Sequence, residues 1–202
     1  MADLTVDDLD RIYGQPKPMT KAKSLDHIDK YGRRFLALSP FCVISAADAD
    51  GSMDVSPRGG EPGFVHVEDD YTLMLPDRPG NNRLDTLRNL VAGNGRIGMM
   101  FLIPGFDDLY RVNGRASLTD DAVLIDRFVE FSRKPRSIVK VAVEEAFFHC
   151  PKAIMRGRLW EAEAQIERAT MPTLSEIVMD QLNLGKPKFE EAAVIESYKT
   201  QL

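Results

Sequence analysis

Leu75-Pro76-Asp77-Arg78-Pro79-Gly80-Asn81-Asn82-Arg83-Leu84-Asp85 is the stretch on which the fold turns. Tyr71-Thr72-Leu73-Met74-Leu75 leads into it as a β-rich run that Pro76 stops. Leu84, Leu87, Leu90 and Val91 succeed it at helical spacing up to Gly93, which predicts a helix over 83–92. Between strand and helix lies a Pro-Gly turn, then Asn81 and Asn82, either of which can cap the helix. Asp85 stands three residues after Asn82, as a shortened capping box would place it. Such a strand-loop-helix corner points free backbone N–H groups at whatever sits above it, which makes it an anion site.

Arg83 is the residue out of place. In a first helical turn it opposes the helix dipole, at a cost of roughly 0.3–1 kcal/mol where exposed. Arg78 lies five residues earlier, and Arg58 comes just after a second strand end at Val55-Ser56-Pro57. An anion such as a phosphate would explain three arginines beside one helix start. Neutralisation by Asp77 and Asp85 on a solvated loop explains them equally well. Residue types alone leave both readings open.

The rest of the chain bounds the answer. Its 202 residues fit one sizeable domain. With 26 basic against 31 acidic residues and a net charge of −5, a nucleic-acid surface is not expected. Arginines clustered inside an acidic chain suggest a small anionic ligand instead. Two cysteines far apart in sequence give no disulfide framework, so a cytoplasmic setting is expected. No apolar run reaches the roughly 18 residues of a membrane span. The start, Met1-Ala2-Asp3-Leu4-Thr5, lacks a signal-peptide core. Three histidines do not make a convincing metal site.

Taken in order, Thr5 to Leu9 opens a short helix, and Pro16 and Pro18 break the next stretch. Ser24 to Leu38 places Leu25, Ile28, Tyr31, Phe35 and Leu38 on one helical face. The period then becomes two. Phe41–Ala46 and Met53–Ser56 flank Asp48-Ala49-Asp50-Gly51 as a hairpin. That turn lacks the further ligands of a calcium loop. Cys42 reads as a small core hydrophobe. Phe64–Glu68 and Tyr71–Leu75 form a second hairpin around Asp69-Asp70. Arg96–Ile103 is almost continuously apolar, as in a strand buried on both faces or closed against a partner subunit. In Leu109–Leu118, Arg111, Asn113 and Arg115 form a polar stripe that faces water or lines a cleft.

A helix is expected from Asp120-Asp121 through Phe131, then the basic loop Ser132–Ser137 and a last strand over Ile138–Phe148. His149-Cys150-Pro151-Lys152 opens another helix, with Cys150 structural. Thr173–Leu184 and Phe189–Tyr198 close the chain as two helices around Gly185-Lys186-Pro187. The face of Leu174, Ile177, Val178 and Leu182 is expected to pack on the body or on a partner. Helices at both termini and about six to seven strands between them give an α+β protein with one antiparallel barrel. Its expected parts are an N-terminal helical segment at 1–38 packed on the barrel, a ligand-binding barrel at 39–165, and C-terminal helices at 166–202.

Several ordered motifs together carry a resemblance. Asp54-Val55-Ser56-Pro57-Arg58-Gly59-Gly60, the stretch from Leu75 to Arg83, Phe101-Leu102-Ile103-Pro104-Gly105, Arg111–Ala116 and Phe147–Ala153 resemble the FMN-binding split-barrel family. That is the pyridoxamine 5′-phosphate oxidase-like group, and the match covers about residues 25–185. The resemblance implies a Greek-key split barrel with FMN as cofactor. It places Asn81, Asn82 and Arg83 at the FMN phosphate. Val55, Ser56 and Arg58 then run along the flavin, with Arg58 where a lysine often stands, and Pro76 and Asp77 lie beneath the ring or ribityl chain. It further implies a homodimer with flavin between the protomers, so that Arg111, Lys152 or Trp160 reaches the partner's flavin.

There are departures from the family pattern. Leu109 stands where the phosphate oxidases proper often have a ring-contacting glutamine, and their C-terminal arginine-histidine motif is absent. Vitamin B6 oxidation is therefore not expected. No Ser/His/Asp or Cys/His set points to hydrolysis. The function implied is an FMN-dependent oxidoreductase acting on a small organic substrate. The alternatives are a non-catalytic FMN storage or sensor protein and a deazaflavin-dependent reductase.

Overall fold

The described residues form seven strands, most of them marked by alternation of apolar and polar residues: β1 Phe41–Ala47, β2 Met53–Gly59, β3 His66–Asp69, β4 Thr72–Asp77, β5 Arg96–Leu102, β6 Leu109–Thr119 and β7 Ser137–His149. The helices are α1 Val6–Tyr13, α2 Pro18–Ala22, α3 Lys30–Leu38, α4 Asp85–Ala92, α5 Ala122–Asp126, α6 Lys152–Gly157, α7 Leu174–Gln181 and α8 Glu191–Lys199. The structure is a computed structural model, and it describes residues 3–130, 132–185 and 191–200. The expected positions Phe131, Lys186, Pro187 and Phe189 lie outside the described residues.

All pairings are antiparallel, in the order β2-β1-β5-β6-β7-β4-β3, and the ladder does not close. Four strands separate β2 from β4 in that order. Even so, Arg58 on β2 reaches Asp77 on β4, with Nη2 3.3 Å from Oδ1. The sheet therefore curls until its first strand, β2, meets β4, the last but one, through side chains rather than ladder hydrogen bonds. That is a split barrel, and the chain is an α+β protein. Inside it Ile44, Leu73, Leu75, Phe101, Val112, Val139 and Val141 are fully buried, each stabilising the fold by about 1.5–3 kcal/mol. Helix α4 packs on β1, β2 and β6, and so sits beside the split.

Gly114 serves the curl. The β6–β7 register shifts between Asn113 and Gly114, and a Cβ at Gly114 would lie 2.1 Å from the Ala142 carbonyl oxygen. Only glycine lets the two backbones approach so closely.

Four expectations need correction. Helix α3 begins at Lys30, because the Asp29 carboxylate caps it by accepting from the Tyr31 and Gly32 N–H groups. Upstream the chain is extended, with Leu25 bridging Ala146 and the Ile28 N–H donating to the Asp70 carbonyl. Tyr31 and Leu38 are exposed, so the predicted five-residue face is not continuous. Strand β5 is not buried on both faces: Ile97, Met99 and Phe101 are buried, while Gly98, Met100 and Leu102 are half-buried. Helix α5 ends at Asp126, after a single turn or so.

The fourth correction concerns α4, which starts at Asp85 with Leu84 as its N-cap and no side-chain cap. Neither asparagine is available for that task. Asn81 Oδ1 accepts from the Arg83 N–H, and Asn82 Oδ1 accepts from Arg136. Arg83 thus precedes the helix rather than standing in its first turn, where the acid Asp85 sits. The C-terminal helix α7 does carry a Thr173 capping box with Glu176. Its Leu174, Val178 and Leu182 are exposed on this chain.

Candidate functional site

Where the curled sheet splits there is a cleft of about 640 Å³, lined by residues 54–59, 76–87 and 136–137. Strand β2 forms one wall, the end of β4 with its Pro-Gly loop the second, and the start of α4 the floor. Each segment is there for a local reason. Strand β4 runs through Pro76, which the sequence suggested would stop it, and ends at Asp77, with Pro79 in the loop beyond. Asn82 and Leu84 both have φ of 58°, a left-handed region that asparagine tolerates and that costs a leucine about 1–2 kcal/mol. These two residues turn the loop back over β2. With no side-chain cap on α4, its first-turn N–H groups have no intrahelical acceptor and face an anion favourably.

Arginines dominate the polar lining. Arg58 is paired with Asp77, and its Nη1 also donates to Ser56 Oγ at 2.5 Å and to the Pro57 carbonyl at 2.9 Å. Arg78 is paired with Glu130 and donates to the Phe128 carbonyl at 3.3 Å. Arg83 is paired with Asp85, and its side chain is 80% exposed. This pairing is the neutralised arrangement that the sequence left open. Thr86, buried on α4, donates its hydroxyl proton to Asp54 on β2, which ties the floor to the wall.

The Asp77 carboxyl is buried among these groups. Burial raises its pKa above the ordinary aspartate value, and the Arg58 and Arg136 charges only partly offset that. The folded chain therefore holds the Asp77 proton more tightly than the unfolded chain does. Stability from this group is fully present below the unfolded pKa and is lost as pH rises through the folded one. Asp77→Asn removes the titration. Its unfolding free energy, relative to wild type, is expected to improve as pH climbs above about 4. Urea titrations at a series of pH values measure this, and a difference that worsens with rising pH would refute it.

Of the residues predicted for the site, Val55, Ser56, Arg58, Pro76, Asp77, Asn81, Asn82 and Arg83 all line the cleft. Arg111, Lys152 and Trp160 do not line it in this chain. Arg111 lies on β6 with its guanidinium 5.5 Å from the Phe147 ring centre. Lys152 begins α6, and Trp160 Nε1 donates to the Phe106 carbonyl at 2.7 Å. Sequence reading missed Asp54, Thr86, Arg136 and Ser137. The signal for Arg136 was the basic loop before the last strand. Its use needed the β4–β7 register, in which Asp77 faces Ser137. Cys42 is core, its thiol pushed up to about 12 by burial, with Arg58 opposing. Among the described residues no group of three His, Cys, Asp or Glu side chains could hold a metal ion. None of the described helices is long and apolar enough to cross a membrane.

The donor set suits an elongated phosphorylated ligand with a flat ring. Val55, Pro57 and Pro76 offer apolar surface, Ser56 and Ser137 offer hydroxyls, and the cations are Arg58 on β2, Arg78 and Arg83 on the loop after β4, and Arg136 before β7, beside the start of α4. The profile of the pyridoxamine 5′-phosphate oxidase family matches residues 28–150. This is more than half the chain, and the chain belongs to that family. No curated protein matches it. Among solved structures it is similar to HupZ of Group A Streptococcus, at 16% identity and a TM-score of 0.48, covering 60% of this chain and 93% of that one. It is also similar to an FMN-binding protein of Syntrophomonas wolfei, at 16% identity and a TM-score of 0.47, covering 58% and 83%. HutZ, the heme storage protein of Vibrio cholerae, is similar at 15% identity and a TM-score of 0.41, covering 60% and 93%. Such distant likenesses do not carry over what those proteins bind.

Proposed function

We propose that the chain binds FMN in this cleft and moves two electrons between the flavin and a small organic substrate, as a homodimer. The observation that carries the reading is the cleft itself. It gathers apolar surface at Val55, Pro57 and Pro76, hydroxyls at Ser56 and Ser137, and four arginines, the kinds of group that a ring, a ribityl chain and a phosphate require. Val55, Ser56 and Arg58 would lie along the flavin, Pro76 and Asp77 beneath it, and Asn81, Asn82 and Arg83 at the phosphate. Bound FMN would supply the redox chemistry.

The chain's own residues bind, orient and shield. Asp77 holds the Arg58 guanidinium at the junction of β2 and β4, so that its charge is fixed before a ligand arrives. If flavin binds here, the Arg58 guanidinium, shared with Asp77, would lie beside the ring and would favour the negative charge of its reduced form. Arg111, Lys152 and Trp160, which lie off this chain's cleft, would serve the partner's flavin.

The purified protein is expected to show a flavin absorption spectrum, or to acquire one on adding FMN. NADH, NADPH or a substrate should then bleach it in stopped-flow absorbance, and air should restore it. Flavin that stays bound and is reduced by no donor tried would leave the storage or sensor reading in its place. A protein that takes up a deazaflavin and refuses FMN would be a deazaflavin-dependent reductase.

A further inference from the structure

We infer that Arg136, which enters the cleft from the loop before β7, is the principal charged donor to the ligand's phosphate. The inference rests on the reading of the cleft as a flavin site. Four arginines line that cleft: Arg58, Arg78, Arg83 and Arg136. Three of them are already matched to carboxylates, Arg58 to Asp77, Arg78 to Glu130 and Arg83 to Asp85. Arg136 has no carboxylate in salt-bridge contact among the described residues. Its Nη1 donates to a neutral amide oxygen, Asn82 Oδ1, at 3.1 Å. An anion approaching Arg83 must compete with Asp85 for the guanidinium. At Arg136 it meets a fork that it need not win from a carboxylate.

The backbone holds Arg136 ready. Its N–H donates to the Asp77 carbonyl at 2.9 Å. Pro135 before it is buried, and Ser137 after it is in register with Asp77. The residue is thus fixed at the end of β4 while its side chain spans to the loop after β4. The bond to Asn82 has a second effect. It engages the amide oxygen of Asn82 rather than its N–H groups, so those donors can turn to a phosphate. Asn82 can do this because it sits in the left-handed turn, with φ of 58°. A guanidinium fork and an amide donor on adjacent loops form a phosphate clamp that spans two strands of the sheet.

The test titrates FMN and riboflavin, which differ by the phosphate alone, into wild type, Arg136→Gln and Arg133→Gln, monitored by flavin fluorescence. Arg133 belongs to the same basic loop but does not line the cleft. The expected result is an FMN dissociation constant raised about tenfold to a hundredfold in Arg136→Gln. Riboflavin affinity should stay within about twofold, and Arg133→Gln should bind both flavins like wild type. Arg136→Lys, which keeps the charge and loses the fork, should recover part of the loss. Melting curves of each variant show whether it is folded. FMN affinity unchanged in Arg136→Gln, or an equal loss for FMN and riboflavin, overturns the assignment. Wild type that binds neither flavin overturns the flavin reading of the cleft as a whole, an outcome distinct from either of these.

Discussion

Phe101→Ala is expected to lower the unfolding free energy by about 3–5 kcal/mol, the range for truncating a fully buried phenylalanine. Phe101 has no exposed surface. It lies on β5, between Cys42 of β1 and Tyr110 of β6. Both neighbours are themselves buried, Cys42 at 0% and Tyr110 at 1% exposure. Tyr110 also stacks against Phe35 and Phe148, with ring centres 6.0 and 4.9 Å away. The cavity left by alanine would therefore be walled by ring and strand atoms that cannot collapse into it. A domain of this size has about 5–15 kcal/mol to lose, so the variant should stand near the edge of folding. The measurement is a urea midpoint at fixed protein concentration, with the slope unchanged. Phe101→Leu should restore most of the loss. A cost below about 1 kcal/mol for the alanine variant would mean that β5 is not the centre of the core.

That β5 is central was only half legible. Its run from Arg96 to Ile103 reads apolar at nearly every position, and a period of two cannot be seen where both faces are apolar. The hairpins β1–β2 and β3–β4 were legible because alternation and Asp-rich turns are local signals. Asp48 Oδ1 accepts from the Asp50 and Ser52 N–H groups, the turn that its composition implied. The start of α3 was misread because Leu25 and Ile28 fall at helical spacing while pairing elsewhere in an extended segment. One capping carboxylate, Asp29, outweighed that coincidence. At the cleft, the residues of the two strand ends were legible as a motif. The links between them were not. The Arg58–Asp77 pair depends on the curl of seven strands, and Arg136 depends on a register set 54 residues from Asn82. Leu84 in a left-handed cap contradicts its own propensity, and such a position is set by the loop around it.

The half-buried face of β5 leads to the last expectation, that Val43→Glu breaks the proposed dimer and loosens its flavin. Across the outer face of the sheet Pro57 pairs with Val43, and Val43 with Met100. Farther along β2, Val55 and Met53 are 65% and 66% exposed. This apolar row continues into the cleft, because Val55 and Pro57 also line it. A second copy laid on the row would cover it and close the cleft on its open side, bringing its own residues to the flavin. The family resemblance implies the same arrangement. In a twofold interface each substitution appears twice. Two buried carboxylates without partners cost several kcal/mol, and about 4 kcal/mol is roughly a thousandfold in the dimer dissociation constant. Val43 points away from the core, so the monomer should keep its fold and its circular dichroism. Sedimentation velocity of wild type and variant at micromolar concentration, with and without FMN, reads both effects. A wild-type monomer that still binds FMN tightly, or a Val43→Glu dimer as firm as wild type, would show that this face is not where two copies meet.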